Sequence, residues 1–245
     1  MKNILLRLVV LSLLIVSCTT DSIDTFDSID SKINDKKSIK TVRLTRETSP
    51  ENPANSYDVA GKIHNDILDI YLGGNYQYNT ITQISQQIET IAANNSDFIL
   101  LNPGVNLLSN LDVIQEIIDN PQTKLNQAIG NSIMTNLAKE SLSNFMGDVL
   151  LRKNDPYTGI YQFIVSYESF AMNNPEFNNE DKRIILTTSS IVRYSLYYAS
   201  GRKDEDWGSG VGHRVGALTG AIDNSTTAIV RALVTGIMIN NLVTE

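Results

Sequence analysis

Residues 56–71 read SYDVAGKIHNDILDIY, and this stretch decides the fold class. Ser56 is a good N-cap, Asp58 is favourable in a first helical turn, and Gly73-Gly74 would end a helix. The pattern therefore predicts an amphipathic helix that buries one face. Its apolar residues recur every three to four positions: Val59, Ala60, Ile63, Ile67, Leu68, Ile70 and Tyr71.

Apolar residues recur at this helical spacing through most of the remaining chain. Thr80 and Gln83 form a capping-box pattern, and Asp155-Pro156 and Asn178 are typical of helix starts. These signals predict an all-α fold, a single bundle-like domain of several helices over residues 56–245. Further helices are expected at 80–91, 111–119, 124–151, 156–170, 178–198 and 211–241, with an irregular connector at 97–104.

Residues 18–55 differ in composition from the predicted domain. They are rich in Ser, Thr, Asp, Asn and Lys, and their few apolar residues are scattered, so a disordered tether is predicted. Pro50 and Pro53 mark its boundary with the folded part. A flexible segment of this length would span on the order of 35 Å, enough to hold a domain clear of a membrane.

The N-terminal residues have the pattern of an export signal. Lys2 and Arg7 precede an apolar run that is too short to span a bilayer. The run ends in Ile15-Val16-Ser17-Cys18, which resembles the lipobox of bacterial lipoprotein precursors. The resemblance implies that residues 1–17 are a signal peptide. After cleavage, Cys18 would carry a diacylglycerol thioether and an acylated amino group, with fatty acids such as palmitate.

The residue after the lipidated cysteine bears on the compartment. It is Thr19, where an aspartate would favour retention in the inner membrane. We therefore expect a lipid anchor in the bacterial outer membrane, and the sequence leaves open whether the domain faces the surface or the periplasm. Cys18 is the only cysteine, so the fold must be stabilised by its core rather than by disulfides.

The charge balance disfavours two classes of partner. The chain has 20 basic and 27 acidic residues and a net charge of −7, and loss of the signal removes Lys2 and Arg7 but no acid. Such an acidic chain is not expected to bind nucleic acid or anionic lipid surfaces. Apolar residues make up 42% of the chain, which is enough for a core.

Two stretches resemble a group of uncharacterised Bacteroidota lipoproteins. Residues 55–68, NSYDVAGKIHNDIL, are similar to the group's opening Asn-Pro-x-Asp-x-x-Gly-x-x-His-Asn, with Ser56 in place of the proline. Residues 186–198, then Trp207, then residues 215–222 also resemble the group. Members typically end in a Gly/Ala-rich helix, a pattern that Asp-Asn-Ser at 223–225 interrupts here. The resemblance implies a fold and an envelope location, and no activity.

The chain has two histidines, His64 and His213. His64 could be a metal ligand or an acid–base group with Asp58 or Asp66, or else a structural histidine bonded to a neighbour. A metal or catalytic site needs further convergent side chains, and no such motif accompanies His64. We therefore predict no catalytic, metal-binding or cofactor-binding residue and no cofactor. Arg214 beside His213 disfavours a cation there.

Small residues recur every four positions near the C-terminus: Gly208, Gly212, Gly216, Gly220, Ala228, Ala232 and Gly236. Such spacing lets another helix approach closely, either in a membrane or in a protein core. Arg231 would cost about 2.5–3.5 kcal/mol at the centre of a bilayer, so a helix buried in the protein is favoured. A separate aromatic group could line a sugar-binding surface, although such residues more often belong to the core: Tyr194, Tyr197, Tyr198 and Trp207.

Together these patterns predict a lipid-anchored cell-envelope protein that is not an enzyme and acts by binding. The expected partners are the membrane, through the anchor on Cys18, and an envelope protein or glycan. Two alternatives stay open. One is a membrane-active effector that uses the Gly/Ala-rich C-terminal helix, and the other is a hydrolase or metal-binding protein that uses His64.

Overall fold

The computed structural model describes residues 48–101, 111–152, 154–202 and 211–244. Within these ranges the chain forms ten helices and no strand, so the all-α prediction is confirmed. The signal peptide, Cys18 and most of the predicted tether lie outside the described residues. The helices are α1 Asp58–Gly73, α2 Ile81–Ala92, α3 Ser96–Leu101, α4 Leu111–Asp119, α5 Pro121–Asn131, α6 Asn136–Leu151, α7 Tyr157–Asn173, α8 Asn179–Arg202, α9 Val211–Asp223 and α10 Ser225–Thr244.

The last three helices form the centre of the fold. Residues 184–196 of α8, 212–221 of α9 and 228–238 of α10 are buried without interruption. A helix that is apolar or small on every face must be surrounded by other helices. Accordingly, α1 and α7 pack on α8, α2 and α4 pack on α10, and α5 packs on α9.

Gly216 and Gly220 set the distance between α9 and α10. A Cβ atom at Gly216 would lie 2.8 Å from the carbonyl oxygen of Arg231, and one at Gly220 would lie 2.6 Å from that of Thr227. Both distances are shorter than real Cβ contacts, so the backbones approach this closely only because these positions lack a side chain. The close helix contact predicted from the four-residue spacing is present.

The chain turns back at Asn224, so the single terminal helix predicted over residues 211–241 is wrong. α9 and α10 are antiparallel, since Gly220 faces Ala228. The Asn224 side chain caps α10 by accepting a hydrogen bond from the backbone N–H of Thr227 at 2.8 Å. The Asp-Asn-Ser interruption is therefore the turn that lets the two halves of the small-residue pattern pack on each other.

The helix predicted over residues 124–151 is also two helices, α5 and α6. Asp181, buried at the start of α8, accepts hydrogen bonds from the backbone N–H and the hydroxyl of Thr135, both at 2.9 Å. Thr135 in turn caps α6, because its Oγ1 accepts the backbone N–H of Ala138 at 3.3 Å. A contact with a residue distant in sequence thus determines this break.

Local caps account for several other helix starts. Thr80 caps α2 by accepting the backbone N–H of Gln83, and Asn178 caps α8 in the same way, both as predicted. The prediction that residues 97–104 are irregular is wrong for residues 97–101, which belong to α3. α3 forms there because Asn95 accepts a hydrogen bond from the backbone N–H of Phe98 at 2.9 Å.

The folded unit begins before the predicted boundary at Ser56. Asn52 and Asn55 are buried and hydrogen-bond to α7. Ser56 does not cap α1, which begins at Asp58. Instead, Asn55 accepts a hydrogen bond from the backbone N–H of Tyr57 at 2.8 Å. The last residues of the predicted tether therefore belong to the core of the domain.

Candidate functional site

The two stretches that carry the sequence resemblance pack against each other in α1 and α8. A Cβ atom at Gly61 would lie 2.6 Å from the carbonyl oxygen of Ser190. The backbone N–H of Gly61 donates to Ser190 Oγ at 3.1 Å, and that hydroxyl donates to the carbonyl oxygen of Asp58 at 2.9 Å. Asn65 donates to the carbonyl oxygen of Tyr194 at 2.9 Å. These motif residues are therefore partners of one another.

Arg193 lies at the centre of this interface. Its side chain is fully buried, and Nη2 lies 2.5 Å from Asp58 Oδ1 and 3.1 Å from Glu168 Oε1. The Tyr194 hydroxyl donates to Asp58 Oδ2 at 3.2 Å. Burial acts to lower the pKa of Arg193, but the charge of Glu168 and the hydrogen bond to Asp58 outweigh burial and raise it. The guanidinium therefore stays charged inside the protein.

Glu168 of α7 connects Arg193 to the segment before α1. Its Oε1 also accepts hydrogen bonds from Asn55 at 3.0 Å and Ser189 at 2.9 Å, and its Oε2 accepts one from Asn52 at 2.5 Å. A buried carboxylate is tolerated only when it is paired and hydrogen-bonded, as this one is. The network joins three parts of the chain, which is the arrangement of a structural element, although Nε and Nη1 of Arg193 have no hydrogen-bond partner among the described residues.

Sequence reasoning missed Arg193 and Glu168. Each is a lone charge among apolar, aromatic and small residues, in IVRYS at 191–195 and SYESF at 166–170. Charged residues are almost never fully buried unless they are paired, so two isolated opposite charges in apolar helices were the available signal. Their pairing depends on two separate helices meeting, which no local pattern reveals.

The two histidines meet in the core. The rings of His64 in α1 and His213 in α9 are both buried, and their centroids are 4.8 Å apart. His64 Nδ1 lies 2.9 Å from Asn65 Oδ1. His64 Nε2 has no hydrogen-bond partner among the described residues. The pair thus joins α1 to α9 through ring contact.

The carboxylates considered as partners of His64 lie elsewhere. Asp58 pairs with Arg193, and Asp66 pairs with Lys62 at 2.7 Å. Among the described residues, no group of three or more His, Cys, Asp or Glu side chains is placed to hold a metal ion. The contact with Asn65 instead matches the structural alternative, in which the histidine bonds a neighbouring side chain.

Both imidazoles are held in the neutral form. Burial lowers the pKa of His64 to about 4, although the hydrogen bond to Asn65 acts in the opposite direction. Burial also lowers the pKa of His213 well below its ordinary value, and the neighbouring His64 and Arg214 lower it further. Arg214 thus acts on His213 in the direction that the sequence predicts.

Acid is expected to destabilise the fold through this pair. The pKa of His64 is about 4 in the folded protein, whereas the unfolded value is about 6.5. The unfolded chain therefore binds the proton first, and stability present above pH 6.5 is lost as the pH falls toward 4. His64→Gln should lose less stability than the wild type between pH 7 and pH 5. Urea unfolding of both proteins at both pH values measures this, and equal losses would contradict the assignment.

Two clefts share Asp223 in their lining, next to the turn between α9 and α10. The first, which we name the α1 cleft, lies between the start of α1, the end of α3, the start of α8 and this turn, and has a volume of about 390 Å³. The second, the α5 cleft, lies where α4 and α5 meet the α9–α10 hairpin, and has a volume of about 270 Å³. Neither histidine lines either cleft.

The α1 cleft is lined on its polar side by a charge pair within α8. Arg183 makes two hydrogen bonds to the carboxylate of Glu180, at 2.8 and 2.5 Å. It also donates to the carbonyl oxygens of Ala221 at 2.7 Å and Ile222 at 3.1 Å, and so caps the C-terminal end of α9. Hydrogen bonding within the pair raises the pKa of Arg183 and lowers that of Glu180. Both groups are therefore charged at neutral pH.

The remaining sequence candidates do not converge on one surface. Tyr194 is buried with its hydroxyl on Asp58, and the ring of Tyr197 packs 5.3 Å from that of Tyr157. Trp207, the fourth aromatic candidate, lies outside the described residues. No helix in the described part of the chain is both long enough and apolar enough to cross a membrane.

Comparison of the chain with protein-family models, with curated proteins and with solved structures finds no match.

Proposed function

We propose that this chain is a lipid-anchored protein of the bacterial outer membrane whose helical domain binds a sugar-type ligand without catalysing a reaction. The anchor on Cys18 is supported by the lipobox-like run that ends there. The main support for a binding activity is the α1 cleft, which is large enough for a small ligand and is lined by both charged and apolar residues.

The α1 cleft is lined by residues of different chemistry. Tyr57, Val59 and Leu101 contribute aromatic and aliphatic surface, and Glu180, Arg183 and residues 223–226 contribute charged and polar groups. A sugar unit has C–H faces that pack on aromatic or aliphatic side chains, and hydroxyl groups that exchange hydrogen bonds with charged and amide groups. Ligand clefts usually have volumes of about 300–1,000 Å³, so this cleft holds a small ligand such as one or two sugar units.

The charges in the α1 cleft favour binding over hydrolysis. Glycoside hydrolysis requires a carboxylic acid whose pKa is raised, so that it can protonate the leaving oxygen. The hydrogen bond from Arg183 instead lowers the pKa of Glu180, which keeps it a carboxylate. A carboxylate that is ionised at neutral pH beside a guanidinium can hold hydroxyl groups and orient them.

Two substitutions in the α1 cleft test the binding proposal. Glu180→Gln and Tyr57→Ala should each weaken binding by about tenfold, which corresponds to the loss of one charge-assisted hydrogen bond or one ring contact. The measurement is calorimetric titration of the full chain with peptidoglycan disaccharides and with oligosaccharides from lipopolysaccharide. Glu176→Gln, an exposed glutamate just before α8, is the matched control. The proposal fails if no oligosaccharide binds, or if the cleft variants bind as the wild type does.

The anchor is tested separately in cells. Wild-type protein should sediment with outer membranes, whereas Cys18→Ala should be released in soluble form because a lipidated cysteine is the attachment. Protease added to intact cells should remove the wild-type domain if it faces outward and spare it if it faces the periplasm. Equal membrane retention of the two proteins would contradict anchoring through Cys18.

A further inference from the structure

We infer that the α5 cleft is a binding site for an oxyanion, the carboxylate or phosphate group of a small molecule. The described lining of this cleft includes two cations, Lys124 of α5 and Arg231 of α10, and one carboxylate, Asp223. Each of these cations is paired with a carboxylate, Arg231 with Asp223 and Lys124 with Glu116, and the chain as a whole has a net charge of −7.

Both cations are buried more deeply than the carboxylates that pair with them. The side chain of Arg231 is 6% exposed, whereas that of its partner Asp223 is 51% exposed. The side chain of Lys124 is 19% exposed, whereas that of its partner Glu116 is 59% exposed. The carboxylates are therefore the more solvated members of the two pairs. An anion that enters the cleft competes with Asp223 and Glu116 for the two cations.

Arg231 has the donors that such an anion needs. Its guanidinium has five N–H donors, and its contact with Asp223 is made by Nη2 at 2.9 Å. One such contact uses only one of these donors. The planar guanidinium can also donate two parallel hydrogen bonds, to both oxygens of a carboxylate or to two oxygens of a phosphate. Gln127 and Asn131 line the same cleft from the exposed face of α5, and their amides can donate to further oxygens.

The size of the α5 cleft limits the ligand. Its volume of about 270 Å³ accommodates an anionic group with a few further atoms, rather than an extended chain. Apolar lining from Val113, Ala128 and Ile222 lies beside the charged groups. The fitting ligand is therefore a small molecule with one oxyanion and a short uncharged body. This site is distinct from the α1 cleft and shares one lining residue, Asp223, with it.

An NMR titration tests the site directly. The ¹⁵N-labelled full chain is titrated with sodium phosphate and, separately, with sodium acetate, and sodium chloride holds the ionic strength constant. We expect saturable shifts of the backbone amide signals of Lys124, Thr219 and Asp223 with at least one of the two anions. Lys124→Gln should weaken the apparent affinity by about tenfold, as expected when a hydrogen bond to a charged group is lost.

Two control variants test whether the anion binds in the α5 cleft. Lys62→Gln also removes a lysine that pairs with carboxylates, but Lys62 lies on α1 away from the cleft. Glu176→Gln changes an exposed glutamate that lines neither cleft. Both should bind the anion as the wild type does. Arg231→Lys, which keeps the charge and removes the fork, should bind more weakly than the wild type, and its thermal unfolding shows whether it is folded.

The outcomes are distinct. Saturation by phosphate alone, by acetate alone or by both supports the site and identifies which anion it takes. The absence of saturable shifts with either anion overturns the proposal, and so does an affinity that Lys124→Gln leaves unchanged. Because none of these results depends on an oligosaccharide, the test is separate from that of the α1 cleft.

Discussion

Replacement of Arg193 by methionine is expected to lower the free energy of unfolding by about 3–5 kcal/mol, the usual penalty for breaking a buried ion pair. Methionine keeps most of the side-chain volume, so the loss reports the charge. Without Arg193, Glu168 stays fully buried with a negative charge that Asn52, Asn55 and Ser189 cannot neutralise. Urea unfolding at pH 7 measures the change.

Two further variants decide whether the buried charge is the cause. Arg152→Met removes an exposed arginine that lies 3.5 Å from Asp155, and exposed pairs contribute less than about 1 kcal/mol. The double variant Arg193→Met with Glu168→Gln should be more stable than Arg193→Met alone, because the unpaired buried carboxylate is gone. If the double variant is no more stable, the loss comes from packing and not from charge.

Gly220→Ala is expected to destabilise the protein by about 1–3 kcal/mol or more, as overpacking of a tight core does. The added Cβ would lie 2.6 Å from the carbonyl oxygen of Thr227 and 2.5 Å from the backbone nitrogen of Ala228. Both are backbone atoms, so no side chain can rotate away, and α9 and α10 must separate near their turn. Thermal and urea unfolding measure the loss.

Gly147→Ala is the matched control for the hairpin. Gly147 lies within α6, and a Cβ atom there would meet nothing within 4 Å. The same substitution should therefore stabilise the protein by about 0.5–1 kcal/mol, because alanine favours a helix more than glycine does. If alanine lowers the free energy of unfolding at Gly220 and raises it at Gly147, then close helix contact, rather than helix propensity, requires glycine at Gly220. A change in the same direction at both positions would contradict this explanation.

The turn between α9 and α10 also shapes both candidate sites. Asp223 pairs with Arg231 on the side of the α5 cleft and lines the α1 cleft as well. Arg183 holds the end of α9 through the carbonyl oxygens of Ala221 and Ile222. Among the described residues, Asp223 in this polar interruption is the one residue that lines both clefts.

The sequence by itself determined the helical class, most helix starts and the positions where helices approach closely. These properties are local: apolar residues repeat at the helical period, Thr80 and Asn178 cap within their own turns, and small residues recur every four positions. The predicted lipid anchor on Cys18 also comes from a local pattern, and it stays a prediction because the described residues begin after it.

Only the tertiary structure decided what the polar residues do. The sequence related Asp58 to His64, six residues away, whereas the fold pairs Asp58 with Arg193 from another helix and places His64 against His213. The turn at Asn224 likewise became visible only when the two halves of the small-residue pattern faced each other. The physical reason is that a buried charge or ring needs a partner in space, and helices α1, α7, α8 and α9 bring such partners together from distant parts of the chain.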